Sequence, residues 1–442
     1  MLGAIEISSG DTAWVLACAA LVLLMTPGLA FFYGGMVRAK SVINMMLMSL
    51  ITIGIVSVLW VVYGYAFTFG DSGSAWIGAF DLSHLGSLVS SVPNNGGEYP
   101  IPTLAFAAFQ LMFAIITPAL ISGAIADRAK FIAWAVFVAL WVTIVYFPVA
   151  HWVFDFGTLN GDTITGAGYL ASKGVLDFAG GTAVHINAGA AGLALALVLG
   201  KRVGFKKEAM RPHSIPLVVL GAGLLWFGWF GFNAGSALGA NATAALAFMN
   251  TQVATAAAVA GWLLVEKLRD GHMTGLGAAS GAVAGLVAVT PACAFVAPWG
   301  AVVLGLIAGI VCALAVSLKY RFGFDDSLDV VGVHLVGGLW GTLSVGVFGT
   351  QAVNSLGANG LLYGGGTELL VKQATGALLV LAFSFVVTAV LGYAIDKTIG
   401  FRIARDAEVE GIDLTEHAES AYELDTRTGT GSYGSLRAAK EA

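Results

Sequence analysis

The sequence predicts an all-α polytopic membrane protein that crosses a lipid bilayer eleven times. Of its 442 residues, 58% are hydrophobic and only 11% are charged, whereas an ordinary soluble domain carries about 25% charged residues. Apolar runs long enough to cross the hydrocarbon core recur along the chain. Basic residues concentrate in alternate connections between these runs. The composition therefore suits a multi-pass protein of the cell membrane.

The apolar runs divide the chain into three parts. In chain order, the predicted spans are 13–35, 42–68, 102–125, 131–154, 177–200, 214–234, 248–268, 275–293, 299–319, 330–350 and 369–398. Residues 1–12 are expected outside the cell, residues 13–400 form the membrane domain, and residues 401–442 form a cytoplasmic tail. All 21 Lys and Arg residues except Lys173 and Lys372 fall on one face, which the positive-inside rule makes cytoplasmic. The N-terminus is therefore expected outside and the C-terminus inside.

Composition and motifs argue against several classes of function. No basic cluster indicates nucleic-acid binding, and Cys18, Cys293 and Cys312 lie in apolar runs without metal-ligand spacing. The sequence contains neither an HExxH motif nor a nucleophile elbow, so we expect no enzyme and no cofactor. An intramembrane enzyme or metal site built from His and Asp residues is the alternative.

Two stretches of the chain share a pattern centred on a histidine. DFAGGTAVHINAGAAG (177–192) lies in the fifth span and DVVGVHLVGGLWG (329–341) in the tenth, and both contain V-H-x-x-x-G-x-x-G. The two spans are five apart, so they run in opposite directions. This predicts an inverted repeat of helices 1–5 and 6–10, followed by a long eleventh helix. In transporters built this way, the substrate path lies near the membrane midplane at the repeat interface.

The glycines and aspartates of the repeat indicate where its helices meet and begin. The glycines lie four and seven residues after each histidine, and small residues on that face let two helices approach closely. His185 and His334 are then expected to meet near the bilayer centre, although each could instead be a core residue bonded to a neighbour. Asp177 and Asp329 stand at helix starts, where a carboxylate caps free N–H groups. For Asp177, a charge that stabilises a nearby cation is a further interpretation.

Aromatic residues crowd the outer end of the sixth span, in LLWFGWFGFNAGSALG (224–239). Rings attract a small cation through their quadrupole, and Ser236 could accept a hydrogen bond from it. Phe109 and Phe113 share a face of the third span, and Trp152 and Phe154 end the fourth. An aromatic belt at the membrane interface is the alternative. With the histidines, the pattern predicts a funnel for a small solute that donates and accepts hydrogen bonds.

Five longer stretches carry a family resemblance. They are MTPGLAFFYGGMVR (25–38), DFAGGTAVHINAGAAGLA (177–194), WFGWFGFNAGSAL (226–238), SGAVAGLVAVTPACAFV (280–296) and DDSLDVVGVHLVGG (325–338). Over essentially its whole length the chain resembles the ammonium transporter (Amt/Mep/Rh) family, in particular its bacterial Amt-type members. The resemblance implies homotrimers of eleven-helix protomers that take up ammonium and methylammonium for nitrogen supply. Each protomer would recruit ammonium, remove a proton, and conduct ammonia past twin histidines with net charge transfer.

The resemblance also implies roles for particular residues. For recruitment and substrate binding these are Phe113, Phe154, Asp177, Trp229 and Ser236. For the pore and its gate they are Tyr33, Phe113, His185, Phe232, Thr290 and His334, with Thr290 in the inner part of the pore. The chain departs from the family in AHWVFD, where Phe154 stands in a position that is often Trp. Phenylalanine keeps a π face but gives a weaker cation–π contact, which predicts weaker recruitment through this residue.

The stretch EVEGIDLTEHAESAYEL (408–424) resembles the family's regulatory C-terminus. It implies a cytoplasmic regulatory tail and a PII-type signalling protein as partner, with a passive tail as the alternative. Two other functions stay open. One is an ammonium sensor that signals through the tail, and the other is an Rh-like electroneutral ammonia channel.

Overall fold

The computed structural model describes residues 6–82 and 84–422, and this part of the chain is mostly helical. Its main apolar helices, α1 to α11, are Ser9–Met36, Ala39–Phe69, Thr103–Ile125, Phe131–Phe154, Gly181–Leu199, Ile215–Gly235, Ala242–Asp270, Gly275–Val289, Pro298–Phe322, Val331–Phe348 and Glu368–Thr398. Shorter helical segments are His84–Ser87, Tyr169–Ser172, Leu361–Tyr363, Arg405–Glu410 and Asp413–His417. The strands Thr158–Asn160 and Thr163–Thr165 pair as an antiparallel hairpin. Parts of the predicted segments 1–12 and 401–442 lie outside the described residues.

The all-α membrane fold is confirmed. Ten of these helices are long and apolar enough to cross a membrane, whereas α8 is an apolar helix of shorter length. Eleven crossings and the sidedness of the termini stay predictions. The span expected at 275–293 ends as a helix at Val289, where a run of turns through Pro291 follows, because proline disfavours helical geometry in the residue before it. The span expected from 248 begins earlier, since the Asn241 side chain caps Ala244 N.

Glycines let pairs of helices pack with their backbones in contact. In the contact between α1 and α6, a Cβ on Gly221 would lie 2.3 Å from the backbone nitrogen of Phe32. In the contact between α7 and α9, a Cβ on Gly305 would lie 2.0 Å from the carbonyl oxygen of Ala254. Bulkier residues would force these helices apart, so membrane packing here depends on small residues.

The contact between α5 and α10 uses the repeat glycines reciprocally. A Cβ on Gly189 of α5 would lie 2.5 Å from the backbone nitrogen of Leu335, and one on Gly338 of α10 would lie 3.1 Å from the Cβ of His185. Each glycine is four residues after the histidine of its own helix. The expected close approach of these two helices is confirmed.

An ionic cluster ties together the connections at one end of the bundle. Arg202 donates from Nε and Nη2 to the two carboxylate oxygens of Asp325 at 2.9 Å each, and from Nη1 to Asp127 at 2.9 Å. Burial would raise the pKa of both carboxyls, but the charge and hydrogen bonds of Arg202 outweigh it and hold each pKa below its usual value. Beside them Arg128 donates to the Asp325 carbonyl oxygen at 2.7 Å. Because each of these carboxylates has its cation, the cluster can stay charged while buried.

The described part of the tail, up to Tyr422, docks at this same end. Asp413 accepts hydrogen bonds from Ile43 N and Asn44 N near the start of α2. Glu416 accepts from Phe131 N, the first residue of α4. Carboxylates of the tail thus occupy the positions where free helix N–H groups attract negative charge.

We expect Gly189→Ala to destabilise the protein. Alanine improves intrinsic helix propensity by about 1 kcal/mol, yet here its Cβ meets the backbone of α10, and overpacking of this kind costs about 1–3 kcal/mol. Gly223→Ala is the matched control, because nothing lies within 4 Å of its Cβ position. Thermal melting of the purified protein in detergent should show a lower Tm for the first variant only. Equal melting temperatures would contradict the close approach.

We expect Arg202→Met to destabilise the protein strongly, because it leaves Asp127 and Asp325 buried without their main cation. Breaking a buried pair in this way costs about 3–5 kcal/mol. A carboxyl whose pKa is lowered on folding stabilises the fold above its unfolded pKa, and this contribution is lost as the pH falls through the lowered value. Wild-type melting temperature should therefore hold at neutral pH and fall in acid, and the variant should lose much of this acid dependence. The control Arg269→Met removes an exposed pair with Asp270 and one hydrogen bond to the Ala313 carbonyl oxygen and should change the melting temperature much less.

Candidate functional site

The two repeat histidines meet inside the protein. His185 Nδ1 and His334 Nδ1 are 3.3 Å apart, and the rings are stacked with centroids 5.4 Å apart. Both residues are buried. A contact between two ring nitrogens needs one hydrogen, so one imidazole donates and the other accepts. Within the described part of the chain, His185 Nε2 has no hydrogen-bond partner, so this atom is available to a small solute.

Each histidine lies in a π-helical turn at the start of its helix. These turns are Gly181–Ile186 in α5 and Val331–Leu335 in α10, and the histidine is the next-to-last residue of each. Turns of this type recur at functional sites. Both helix starts need capping, because their first N–H groups have no partner within the helix.

Aspartates eight residues before each histidine provide those caps. Asp177 accepts hydrogen bonds from the backbone of Gly180, Gly181, Thr182 and Ala183, and from the Thr182 hydroxyl. Its predicted capping role is confirmed. In α10 the corresponding residue is Asp326. Its carboxylate accepts hydrogen bonds from the backbone N–H groups of Val330 and Val331 at the helix start.

The prediction that Asp329 caps the tenth helix is wrong. Its carboxylate lies 2.6 Å from Lys319 Nζ, and its backbone takes a left-handed conformation with φ of 65°. The sequence pattern placed Asp329 opposite Asp177 because it was the aspartate nearer to His334. The equal eight-residue offset of Asp177 and Asp326 from their histidines was the signal that would have found the true pair.

Aromatic rings close one end of the passage beside the histidines. The rings of Phe113 and Phe232 are in contact with centroids 4.2 Å apart and planes tilted by 32°. Phe154 meets Phe113 edge-on at 6.4 Å. Trp229 stacks on His185 at 5.3 Å, on the same helix face as Phe232. The structure thus brings Phe113, Phe154, Trp229 and Phe232 together with the histidine pair.

The polar residues expected at the site occupy different positions around it. Ser236 is half-buried one turn beyond Phe232, and its hydroxyl donates to the Phe232 carbonyl oxygen at 2.9 Å. Thr290 accepts a hydrogen bond from Trp229 Nε1 at 2.8 Å and so holds the ring that stacks on His185; its place in the inner part of the pore stays a prediction. Tyr33 lies near Val330, and its hydroxyl donates to the Leu120 carbonyl oxygen at 3.0 Å.

Several aromatic residues of the expected cage point elsewhere. Phe227 is exposed on the outside of α6, and Phe230 stacks on Phe248 of α7 at 4.0 Å. Trp152 packs against Phe383 of α11 and Trp76 rather than beside Phe154. Helical geometry explains the sorting of α6, because Trp229 and Phe232 are three residues apart and share a face.

The site offers chemistry for a small hydrogen-bonding solute. Aromatic faces beside Ser236 can attract a cation, and the imidazole pair beyond them can donate, accept and relay a proton. In the part of the chain that the structure describes, no three His, Cys, Asp or Glu side chains form a possible metal-ligand set. The imidazole pair alone would supply two ligands, fewer than the three or more of typical protein zinc sites.

Comparison with known proteins identifies the family of the chain. The sequence pattern of the Ammonium Transporter Family matches residues 13–422. An ammonium transporter of Mycobacterium tuberculosis (strain ATCC 25618 / H37Rv) is 58% identical over 351 residues, which cover 76% of this chain and 73% of that protein. A putative ammonium transporter of Methanothermobacter thermautotrophicus is 47% identical over 95% of this chain and 99% of that protein.

Solved structures agree as well. A protein named Sensor Amt Protein superposes with a TM-score of 0.83 at 30% identity, covering 92% of this chain and 98% of its own. Mep2 of Saccharomyces cerevisiae superposes with a TM-score of 0.80 at 33% identity, covering 96% and 93%. The fold and site define a polytopic membrane protein of the transporter class, and the chain belongs to the ammonium transporter family.

Proposed function

We propose that the protein takes up ammonium by recruiting the cation, removing a proton, and conducting ammonia past His185 and His334. The observation that carries the proposal is the position of the buried imidazole pair directly behind the stacked rings of Phe113 and Phe232. A solute that passes the rings meets a hydrogen-bonding station in an otherwise apolar interior. Ammonia fits such a station, because it both donates and accepts hydrogen bonds.

The cost of moving a bare cation supports deprotonation before passage. An unpaired charge in the bilayer interior is expensive, whereas ammonia leaves only hydrogen bonds to be replaced. Phe154 packs edge-on against the gate ring of Phe113, Trp229 stacks on His185, and Ser236 lies one helical turn beyond Phe232 in the direction away from Trp229. The cation is held there, the proton is released, and the histidine pair carries it across so that charge moves with the substrate.

Asp177 acts in this scheme through its position and its charge. Its carboxylate accepts five hydrogen bonds from the start of α5. It therefore fixes the helix start that carries His185, and its charge favours the arriving cation.

We propose the assembly and the regulation by analogy with the family. The protein forms homotrimers, each protomer having its own pore, with the basic connections and the tail in the cytoplasm. The docking of Asp413 and Glu416 at the starts of α2 and α4 supports a regulatory tail, to which a PII-type protein binds. Methylammonium is a second substrate.

A sensor is the second candidate, and the likeness to a protein named Sensor Amt Protein favours it. The two functions differ in flux. A transporter shows turnover in pure proteoliposomes, while a sensor responds through its tail with little flux. An Rh-like electroneutral channel would show flux without current.

We expect His334→Ala and His185→Ala to abolish the ammonium-evoked current of purified protein in proteoliposomes, because each removes half of the proton-relaying pair. The current is measured with a solid-supported membrane, and internal pH is followed with a dye in the same vesicles. His272→Ala is the control, since this histidine is exposed.

Wild-type current in both pore variants would contradict the relay. Internal alkalinisation without current in the wild type would instead indicate an electroneutral ammonia channel. Melting temperatures of the variants show whether each still folds.

We expect Phe154→Trp to lower the apparent KM for ammonium by roughly two- to fivefold, because tryptophan is the better cation–π partner and such contacts are worth about 0.5–1 kcal/mol at accessible sites. Uptake of radioactive methylammonium against increasing ammonium measures the affinity. Phe227→Trp, on the outer face of α6, is the matched control. An unchanged KM in both variants would show that Phe154 is not part of the recruitment site.

A further inference from the structure

A buried histidine outside the pore stands between oxygen atoms only. His151 lies one turn before Phe154 at the end of α4 and is 1% exposed. Its Nδ1 is 2.8 Å from the Thr68 carbonyl oxygen and 3.0 Å from Asp155 Oδ2. Its Nε2 is 3.0 Å from the Ser74 carbonyl oxygen.

These contacts fix the protonation of the ring. Carbonyl and ionised carboxylate oxygens only accept hydrogen bonds, and a neutral imidazole donates from one nitrogen alone. With a neutral ring, either Nδ1 or Nε2 would present a lone pair to an oxygen at hydrogen-bond distance. Both nitrogens therefore carry hydrogen, and His151 is an imidazolium ion paired with Asp155. Pairing and hydrogen bonding of both partners allow such a charge to be buried.

The ring joins the end of α4 to the turn that follows α2. Thr68 is in the last turn of α2, and Ser74 is in the loop after it. The same loop accepts a hydrogen bond from Trp152 Nε1 at the Trp76 carbonyl oxygen, at 2.7 Å. From another loop, Asn95 Nδ2 donates to the Phe154 carbonyl oxygen at 2.9 Å. The backbone at Phe154 is thus held from two sides, and its ring lies against the gate residue Phe113.

We propose that His151, as a buried imidazolium, is a positioning residue that holds Phe154 at the aromatic gate and so sets the affinity for the arriving cation. This rests on the proposed function. Loss of the proton leaves a lone pair facing Thr68 or Ser74 and removes the attraction to Asp155. The loop then separates from α4, and Phe154 loses its fixed place. The apparent KM for ammonium should rise as the pH on that face becomes alkaline.

Other titratable groups around the ring have their own partners or lie farther away. On α2 and its loop, Tyr65 stacks with His84, and Asp71 accepts from Gly73 N. On the segment after α4, Asp162 is exposed at the hairpin turn and Tyr169 stacks on Trp76. Among the described residues, the ion pair that the ring makes is the one with Asp155. The pH dependence should therefore respond to Asp155.

The first test measures uptake of radioactive methylammonium by cells that lack other ammonium transporters, between pH 6 and pH 8.5, with KM expressed as cation concentration. His151→Gln keeps a side-chain amide donor but cannot be charged. We expect it to raise KM about five- to tenfold, the effect of one lost charge-assisted hydrogen bond. The maximal rate should change little, because the pore itself is intact, and the pH dependence of KM should disappear.

The variant Asp155→Asn tests whether His151 acts through its charge or only through the packing of its side chain. It preserves the shape of the side chain but removes the counter-charge, so the pH at which KM rises should move down by about one unit or more. Asp162→Asn is the matched control and should keep the wild-type profile. Wild-type KM and pH profile in both His151→Gln and Asp155→Asn would overturn the proposal.

A second measurement needs no transport. Protein labelled with ¹⁵N-histidine is examined by NMR in detergent at pH 7.5, and the His151 signals are assigned by their loss in His151→Gln. Two protonated ring nitrogens are expected. A neutral His151 with one N–H overturns the proposal even if every variant is inactive or unstable. Absence of uptake by the wild type overturns the proposed function. The NMR measurement would still show whether His151 is an imidazolium ion.

Discussion

The close contact between the starts of α5 and α10 is the constraint on which the rest of the structure depends. Two helix starts inside a bundle expose N–H groups that no water satisfies, and each unsatisfied group is costly. Asp177 and Asp326 remove this cost by accepting those groups. Gly189 and Gly338 then let the backbones approach closely enough for the imidazoles of His185 and His334 to meet. The histidine pair therefore forms because both helix starts are capped by an aspartate and both helices carry a glycine at their contact.

Much of the fold could be predicted from the sequence, because it rests on signals that are local or repeated. Apolar length predicted eleven spans, ten of which are helices long and apolar enough to cross a membrane, and the V-H-x-x-x-G-x-x-G pattern predicted the contact between His185 and His334. The contact between the rings of Phe113 and Phe232 was implied by the family resemblance and fits their helix faces. Direct repetition and helical periodicity are carried by the chain itself, so no tertiary information was needed.

The errors concern side-chain partners that residue type and hydropathy do not identify. The choice of Asp329 as the cap overlooked the eight-residue offset that Asp326 shares with Asp177, and the pairing of Asp329 with Lys319 is visible only in the folded chain. From the sequence, Arg202 is only one of the basic residues that indicate a cytoplasmic connection. In the structure its guanidinium binds Asp127 and Asp325 from two other connections. Trp152, expected beside Phe154, instead donates from Nε1 to the Trp76 carbonyl oxygen and packs on Phe383. Composition records such residues but not their partners.

The two ends of the passage are supported by different means. At one end, Asp325 joins the Arg202 cluster, and its neighbour Asp326 caps the helix start that carries His334. Two adjacent carboxylates therefore connect the ionic cluster to the histidine pair through rigid backbone. At the other end, the gate has only apolar rings, and its backbone is held by loops through His151 and Asn95. Because rings without polar anchors fix position poorly, hydrogen bonds from outside the passage must locate Phe154, while the histidines are located by the helices themselves.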